Sequence, residues 1–170
     1  VEAIKVYNQA LLRVSDMKKD NWDLLYARGM AYERSNQWEK AEKDLLKVLE
    51  FIQNKPEVLN YLGYSWVDKG YKMNEAKDLI EKAVKLRPRD PYIVDSLGWA
   101  YYKLYEFYNA VVVLEIALAL KPTDPIINDH LGDAYRESQR NIEALYQWKK
   151  AIYFKPNKEL EKKIQLKIKE

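Results

Sequence analysis

Leu97-Gly98-Trp99-Ala100-Tyr101, then Ala110-x3-Leu114-x2-Ala117, then Pro122: this stretch decides the fold, because its pieces recur in phase along the chain. Outward from it, Gly29, Gly63, Gly98 and Gly132 stand 34, 35 and 34 residues apart, and Ala41, Ala76, Ala110 and Ala144 stand 35, 34 and 34 apart. Pro88, Pro122 and Pro156 follow at intervals of 34 and 34. A fixed period of roughly 20 to 50 residues marks a repeat architecture, in which each unit buries its apolar face against the next. Around each Gly the chain reads Gly29-x2-Tyr32, Leu62-Gly63-x2-Trp66 and Leu131-Gly132-x2-Tyr135. Around each Ala it reads Ala41-x3-Leu45-x2-Val48, Ala76-x3-Ile80-x2-Ala83 and Ala144-x3-Trp148-x2-Ala151. Gly and Ala where two helices cross let their backbones approach, and a large side chain fills the space beside them.

At these positions the sequence resembles the tetratricopeptide repeat family, whose unit is a helix-turn-helix of about 34 residues carrying Leu-Gly-x2-Tyr, Ala-x3-Phe and Pro. The resemblance implies an all-α fold, a right-handed α-α superhelix of antiparallel helix pairs closed by a C-terminal capping helix. Residues 1–170 then form a single domain: a second helix of a truncated repeat plus loop over 1–21, repeats over 22–55, 56–90, 91–124 and 125–157, and the cap over 158–170. The expected helices are 2–16, 22–35, 38–52, 56–69, 73–86, 91–104, 107–120, 125–138, 141–154 and 158–169. Pro91 and Pro125 suit the first helical position, and Asp90 and Asp124 before them suit the cap. Three departures loosen single turns: Arg28 where Leu is expected, Gln53 where Pro is expected, and one extra residue between Gly70 and Ala76. Leu160, Ile164 and Ile168 give the last helix one apolar stripe among Lys and Glu, as in a terminal cap. Ala3, Ile4, Tyr7, Ala10 and Leu11 resemble a second helix without its first, which predicts further repeats upstream or self-association through the N-terminal helix.

Composition fits this reading. Of 170 residues, 48% are hydrophobic and 32% charged, and the net charge is +3, with lysines and acids interspersed. With no cysteine, thiolate metal sites, disulfides and cysteine nucleophiles are excluded. The run Val111 to Leu120 contains Glu115 and is half the roughly 20 residues of a membrane span, so it reads as a core helix.

In the family, the first helices line a concave groove, and the resemblance carries its lining onto this chain. It collects Asp23, Tyr26, Met30, Glu33 and Arg34; Glu57, Asn60, Tyr64, Val67 and Asp68; Tyr92, Asp95, Trp99, Tyr102 and Lys103; and Ile126, Asp129, Asp133, Arg136 and Glu137. Eight of these are acidic, three basic and five Tyr or Trp, so the lysines are expected on the convex second helices and the cap. An acidic, aromatic groove suits a protein or peptide segment in which Lys or Arg alternates with apolar residues. The plainer reading makes the tyrosines solenoid filler and the acids a solvated face. Trp66 and Trp148 stand at packing positions and are expected in the core. The Lys/Asn/Arg clamp with which chaperone-binding members hold a C-terminal carboxylate is absent, since Tyr26, Met30, Tyr61, Tyr92 and Ser96 occupy those positions. Asp95–Tyr101 and His130–Tyr135, with Ala144 and Trp148, are similar to bacterial cell-envelope repeat proteins, often lipoproteins, which implies a periplasmic location.

No cofactor, metal or small-molecule substrate is expected, and no enzyme. The chain holds one His and no phosphate-cradling glycine loop, and His130 beside Asp129 is not an oriented dyad, because helix neighbours in sequence point apart. Lys155, Lys158, Lys162, Lys163, Lys167 and Lys169 form the sole argument for nucleic acid, and Glu159, Glu161 and Glu170 dilute it. A scaffold assembling through repeat edges is the competing function.

Overall fold

A computed structural model describes residues 2–14 and 21–169. Its helices are α1 (Glu2–Arg13), α2 (Trp22–Arg34), α3 (Trp38–Phe51), α4 (Pro56–Lys69), α5 (Met73–Leu86), α6 (Pro91–Lys103), α7 (Phe107–Leu120), α8 (Pro125–Glu137), α9 (Asn141–Tyr153) and α10 (Lys158–Lys169). Among the described residues there is no strand. From α2 onward the expected helices match to within a residue at each end. The expected end of the first helix, 15–16, lies outside the described residues.

Two kinds of turn build the repeat. Within each repeat the first helix ends on a left-handed residue: Asn36 (φ 56°), Gly70 (φ 72°), Tyr105 (φ 62°) and Gln139 (φ 61°). The next N–H reaches back to the carbonyl of the motif aromatic, Gln37 to Tyr32, Tyr71 to Trp66, Glu106 to Tyr101 and Arg140 to Tyr135, at 2.9–3.2 Å. This is the Schellman closure, which satisfies carbonyls left open at a helix end. A second left-handed residue, Lys72 (φ 50°), absorbs the extra residue before Ala76. Between repeats, Asp90 accepts from the N–H groups of Tyr92 and Ile93, and Asp124 from those of Ile126 and Ile127, each with Pro opening the helix.

The chain divides into two compact units at Leu62 and Gly63, inside α4. In the unit up to Leu62, α2 packs on α1 and α3, with Leu25, Gly29, Ala41, Leu45 and Val48 buried. Here Arg28, the departure from the motif Leu, binds Asp44 through two nitrogens at 2.7 Å each and Asn8 at 2.9 Å. One guanidinium thereby ties α2 to α3 and α1, and the buried Asp44 carboxylate is paired. On α1, Ile4 is buried while Val6 and Leu12 are exposed.

In the unit from Gly63, α6 and α8 each pack between neighbours, α6 on α5 and α7, α8 on α7 and α9, and α10 lies on α9. Ala110, Leu114, Leu131, Ala144, Trp148, Ala151 and Ile164 share one core, with Leu160 and Ile168 packed at its edge, so the apolar stripe of α10 lies on this core. Trp66 and Trp148 are both buried. The glycines mark the helix crossings. A Cβ on Gly132 would stand 2.5 Å from Trp148, and one on Gly98 2.5 Å from Leu114. The motif tyrosines also bridge repeats: Tyr101 donates to Glu81 at 3.1 Å and Tyr135 to Glu115 at 2.7 Å.

Candidate functional site: the first-helix face

In the unit from Gly63, the first helices present Tyr64 from α4, Asp95, Trp99 and Tyr102 from α6, and Asp129, Asp133 and Arg136 from α8. Trp99 is half-buried and stacks on Tyr102 (centroids 4.7 Å, planes 9° apart) and on His130 (4.2 Å, 15°). Residues three apart on a helix share a face, which puts Tyr102 beside Trp99, and the one-repeat offset brings His130 of α8 to the same ring. Burial, then the carboxylates of Asp133, Glu137 and Asp129, push the Tyr102 phenol up to about 12. Tyr64 is pushed to about 12 by burial and then by Asp68 and Asp95. Both phenols therefore stay neutral donors across the physiological range.

Two open depressions adjoin the stack. One, of about 240 Å³, is lined by Tyr102, Lys103, Tyr105, Phe107 and Glu137. The other, of about 190 Å³, is lined by Tyr102, Asp133, Arg136, Glu137, Trp148 and Lys167. Tyr102 and Glu137 belong to both.

The acidity expected of this face is largely met from within the molecule. Asp95 is buried and faces His130 Nδ1 at 3.0 and 3.1 Å. Burial works against a charged imidazole there, but Asp95 outweighs it and raises the His130 pKa above its ordinary value, with Asp129 and Asp133 adding to the effect. One repeat on, Lys167 of the cap donates to both oxygens of Asp129 at 2.8 and 3.0 Å and to Asp133 at 2.7 Å. Asp133 also accepts from the Trp148 indole at 3.1 Å. Burial and then Asp133 raise the Asp129 pKa against the opposing pull of Lys167. Asp68 and Glu137 remain exposed carboxylates.

The structure thus brings Tyr64, Asp95, Trp99, Tyr102, Asp129 and Asp133 into one environment and leaves Arg136 exposed at its rim. Tyr92 stands apart: it is exposed, its ring lies under Lys121 at 4.3 Å, and its hydroxyl accepts from the same ammonium, which in turn reaches Asp124. Val67, assigned to the groove with these residues, is buried in the core. Asp129 adjoins His130 in sequence, whereas the carboxylate paired with the imidazole is Asp95, one repeat back on the same helix face. Sequence reasoning also missed Lys167 as a partner of this face; it stands 34 residues beyond Asp133 but 38 beyond Asp129, on a last helix that does not continue the repeat.

In the unit up to Leu62, Tyr26 meets Tyr61 edge-on (5.9 Å, 82°), Tyr61 donates to Glu33 at 3.3 Å, and Met30 and Asn60 are half-buried. Burial, then Glu57, raises the Tyr26 pKa; burial, then Glu33, takes Tyr61 to about 12.

A profile described as tetratricopeptide repeat matches residues 23–55, one full period of the pattern. Residues 23–55 are thus a tetratricopeptide repeat. This repeat protein is 42% identical over 84 residues to the TPR repeat-containing protein PA4667 of Pseudomonas aeruginosa, a stretch that covers 49% of the chain and 14% of that relative. Its fold is similar to that of MamA of strain AMB-1 (TM-score 0.72, 25% identity, 90% of this chain and 95% of the other). It is also similar to MamA from Desulfovibrio magneticus RS-1 (TM-score 0.69, 25% identity, 81% and 77%). A thermophilic repeat protein of Thermus thermophilus, TTC0263, shares the fold at TM-score 0.76 and 20% identity over 95% of this chain and 87% of its own. The expected all-α helical-repeat class is therefore the one found, and tetratricopeptide arrays are protein–protein interaction modules, in general non-catalytic. Among the described residues no helix is long and apolar enough to cross a membrane, and no cluster of three or more His, Cys, Asp or Glu could hold a metal.

Proposed function

We propose that the repeat protein binds a segment of another protein on the first-helix face of the unit from Gly63, with Trp99 and Tyr102 as anchors. The observation that carries this is the stack of Trp99 with Tyr102 and His130 beside two depressions that share Tyr102 and Glu137. Rings held by neighbours lose little entropy on binding, and aromatic groups seated beside pockets are where binding energy concentrates. Because His130 pairs with Asp95 and Lys167 bridges Asp129 and Asp133, these acids are engaged within the molecule, and the exposed carboxylates offered to a ligand are Glu137 and Asp68 at the rim. The ligand is accordingly an apolar or aromatic segment with one or two flanking Lys or Arg, which is a narrower demand than a polybasic tail.

A peptide-display selection against the intact chain tests this. Selected sequences should be apolar with sparse basic residues, should bind Trp99→Ala at least about tenfold more weakly, about 1.4 kcal/mol, and should lose affinity for Glu137→Lys. Ligands indifferent to all three of Trp99→Ala, Tyr102→Ala and Glu137→Lys would give the role back to a scaffold assembling through repeat edges. The bacterial cell envelope is part of the proposal, on the resemblance of Asp95–Tyr101 and His130–Tyr135, and fractionation of the source cells is its test.

A further inference from the structure

Successive helices of the unit from Gly63 run antiparallel, so the turns within repeats line one edge of that unit and the turns between repeats line the other. Charge divides unevenly between the two edges. Around the turns within repeats, Lys72, Lys103 and Arg140 stand among Glu75, Glu106 and Glu143. Around the turns between repeats, Lys85, Arg87 and Arg89 gather where α5 ends, and Lys155 and Lys158 where α9 ends, all exposed. The acids at these turns are engaged locally. Asp90 and Asp124 accept from the N–H groups that open α6 and α8, and Glu159 pairs with Lys163 at 2.9 Å. The exposed acids of α5, Glu75 and Asp78, stand in its first half, away from this edge. The lysines expected on the second helices are thus unevenly placed: α7 has none, and both of those on α9 lie in its C-terminal half. Between the two basic turns the edge is apolar. The inner face of α7, Ala110, Val111, Leu114 and Ala117, is buried, yet Ile116 and Leu120 on its outer side are 50% and 38% exposed. Across the turn, Ile126 is 47% exposed, while Lys121 is taken up by the Tyr92 hydroxyl and Asp124.

We infer that this edge docks on an anionic lipid surface, the apolar middle turn entering the headgroup boundary and the basic turns on either side of it pairing with lipid phosphates. Three observations select this occupant. The charge is complementary: the cations of the edge are exposed and its acids are bonded to the chain, so a negatively charged surface meets no exposed repulsion from Asp90 or Asp124. The cations stand on turns two repeats apart instead of converging in a cleft, which suits a surface whose charge is spread and not a single phosphate or carboxylate. Finally, aliphatic side chains occupy the space between them. A lipid boundary covers Leu120 and Ile126 while the long basic side chains reach for the headgroups, whereas a nucleic-acid backbone leaves such side chains in water. Stacking, the further source of affinity for a nucleic acid, lacks a platform at this edge, because the Tyr92 ring already lies under Lys121 at 4.3 Å.

Flotation of the 170-residue chain with vesicles of phosphatidylcholine alone, and of phosphatidylcholine and phosphatidylglycerol in equal parts, is the test. The inference expects binding to the mixed vesicles that weakens with salt, and none to the neutral ones. Lys85→Glu combined with Arg89→Glu should weaken that binding at least about tenfold, and Leu120→Gln about threefold, both at unchanged helicity by circular dichroism. Binding to neither vesicle, equal binding to both, or indifference to the charge reversal or to Leu120→Gln would each overturn it. Polyglutamate and duplex DNA are the parallel probes: tighter binding to either than to lipid phosphate at the same anion concentration would give the edge to an acidic protein or a nucleic acid, and the inference would fall. Peptide binding at Trp99 should be the same in all these variants, so the outcome is independent of the function proposed above.

Discussion

The four motif glycines occupy one position in the repeat, yet their surroundings predict substitutions of opposite sign. A methyl on Gly132 would lie 2.5 Å from both Cδ1 and Nε1 of Trp148. That indole cannot swing aside, because its N–H is bonded to Asp133, itself bonded to Lys167. Overpacking of this kind costs about 1–3 kcal/mol. At a contact of 2.5 Å the cost falls in the upper half of that range, about 2–3 kcal/mol, and alanine returns up to about 1 kcal/mol through helix propensity, leaving Gly132→Ala net destabilising by about 1–2 kcal/mol. At Gly29 the nearest atoms, Leu45 Cγ and the Ala41 carbonyl oxygen, stand at 3.3 and 3.4 Å. A shift of a few tenths of an ångström accommodates a methyl there, so Gly29→Ala is expected to be neutral or to stabilise by up to about 1 kcal/mol. Gly63 is the sternest case, since the Ala76 carbonyl oxygen at 2.8 Å belongs to backbone. Hydrogen exchange followed through a urea titration reads α2–α3 and α8–α9 separately. With a urea slope of about 1–3 kcal/mol per molar, Gly132→Ala should lower the midpoint of α8–α9 by roughly half to one molar while Gly29→Ala leaves or raises that of α2–α3. Equal losses at both positions would refute the reasoning that contact distance, and not motif identity, sets the cost.

Lys167→Met should leave the buried Asp129 carboxylate without its cation, cost about 1.5–3 kcal/mol, and speed exchange in α10 and the first turns of α8; unchanged protection there would count against a stabilising role for this ion pair. His130 is held above its ordinary pKa, so its pairing with Asp95 stabilises fully below pH about 6.5 and fades as pH rises through the raised folded value. The melting temperature should therefore decline as the pH rises above about 6.5 in the wild type, and more shallowly in His130→Asn; parallel profiles would sink that assignment. Asp124→Ala removes the acceptor of two N–H groups at the start of α8 and should cost about 1 kcal/mol, read as a lower thermal midpoint, whereas Asn in its place should recover most of the loss.

The fold was legible because the repeat imposes the same steric demand four times, Gly and Ala at the crossings and an aromatic three residues after each Gly, with Asp-Pro at two of the helix restarts. Positions alike in every unit can be read from spacing. Arg28 shows where that stops. As a departure it pointed to a loosened turn, yet its guanidinium joins α1, α2 and α3 through Asn8 and Asp44, a contact set that no single-repeat pattern encodes. The acids of the face failed in the same way: charge was counted helix by helix, while Asp95 and Asp129 are answered from two helices further along the chain, by His130 on α8 and Lys167 on α10. Pairing between repeats follows from superposing positions about 35 apart, and Lys167, 38 residues beyond Asp129, lies in a cap that breaks the period. The outer face of α7 was read as apolar core because a run of Val, Leu, Ile and Ala does not declare which of its sides is covered.

The most direct test of the central claim is a nitrogen-15 spectrum of the intact chain titrated with a display-selected peptide, in which each of the five tryptophans reports through its own indole N–H. The account predicts that the Trp99 indole moves together with the amides around Tyr64, Tyr102 and Glu137, while those of Trp22 and Trp38 stay in place. A Trp99 signal that holds still while peptide binds elsewhere would contradict it.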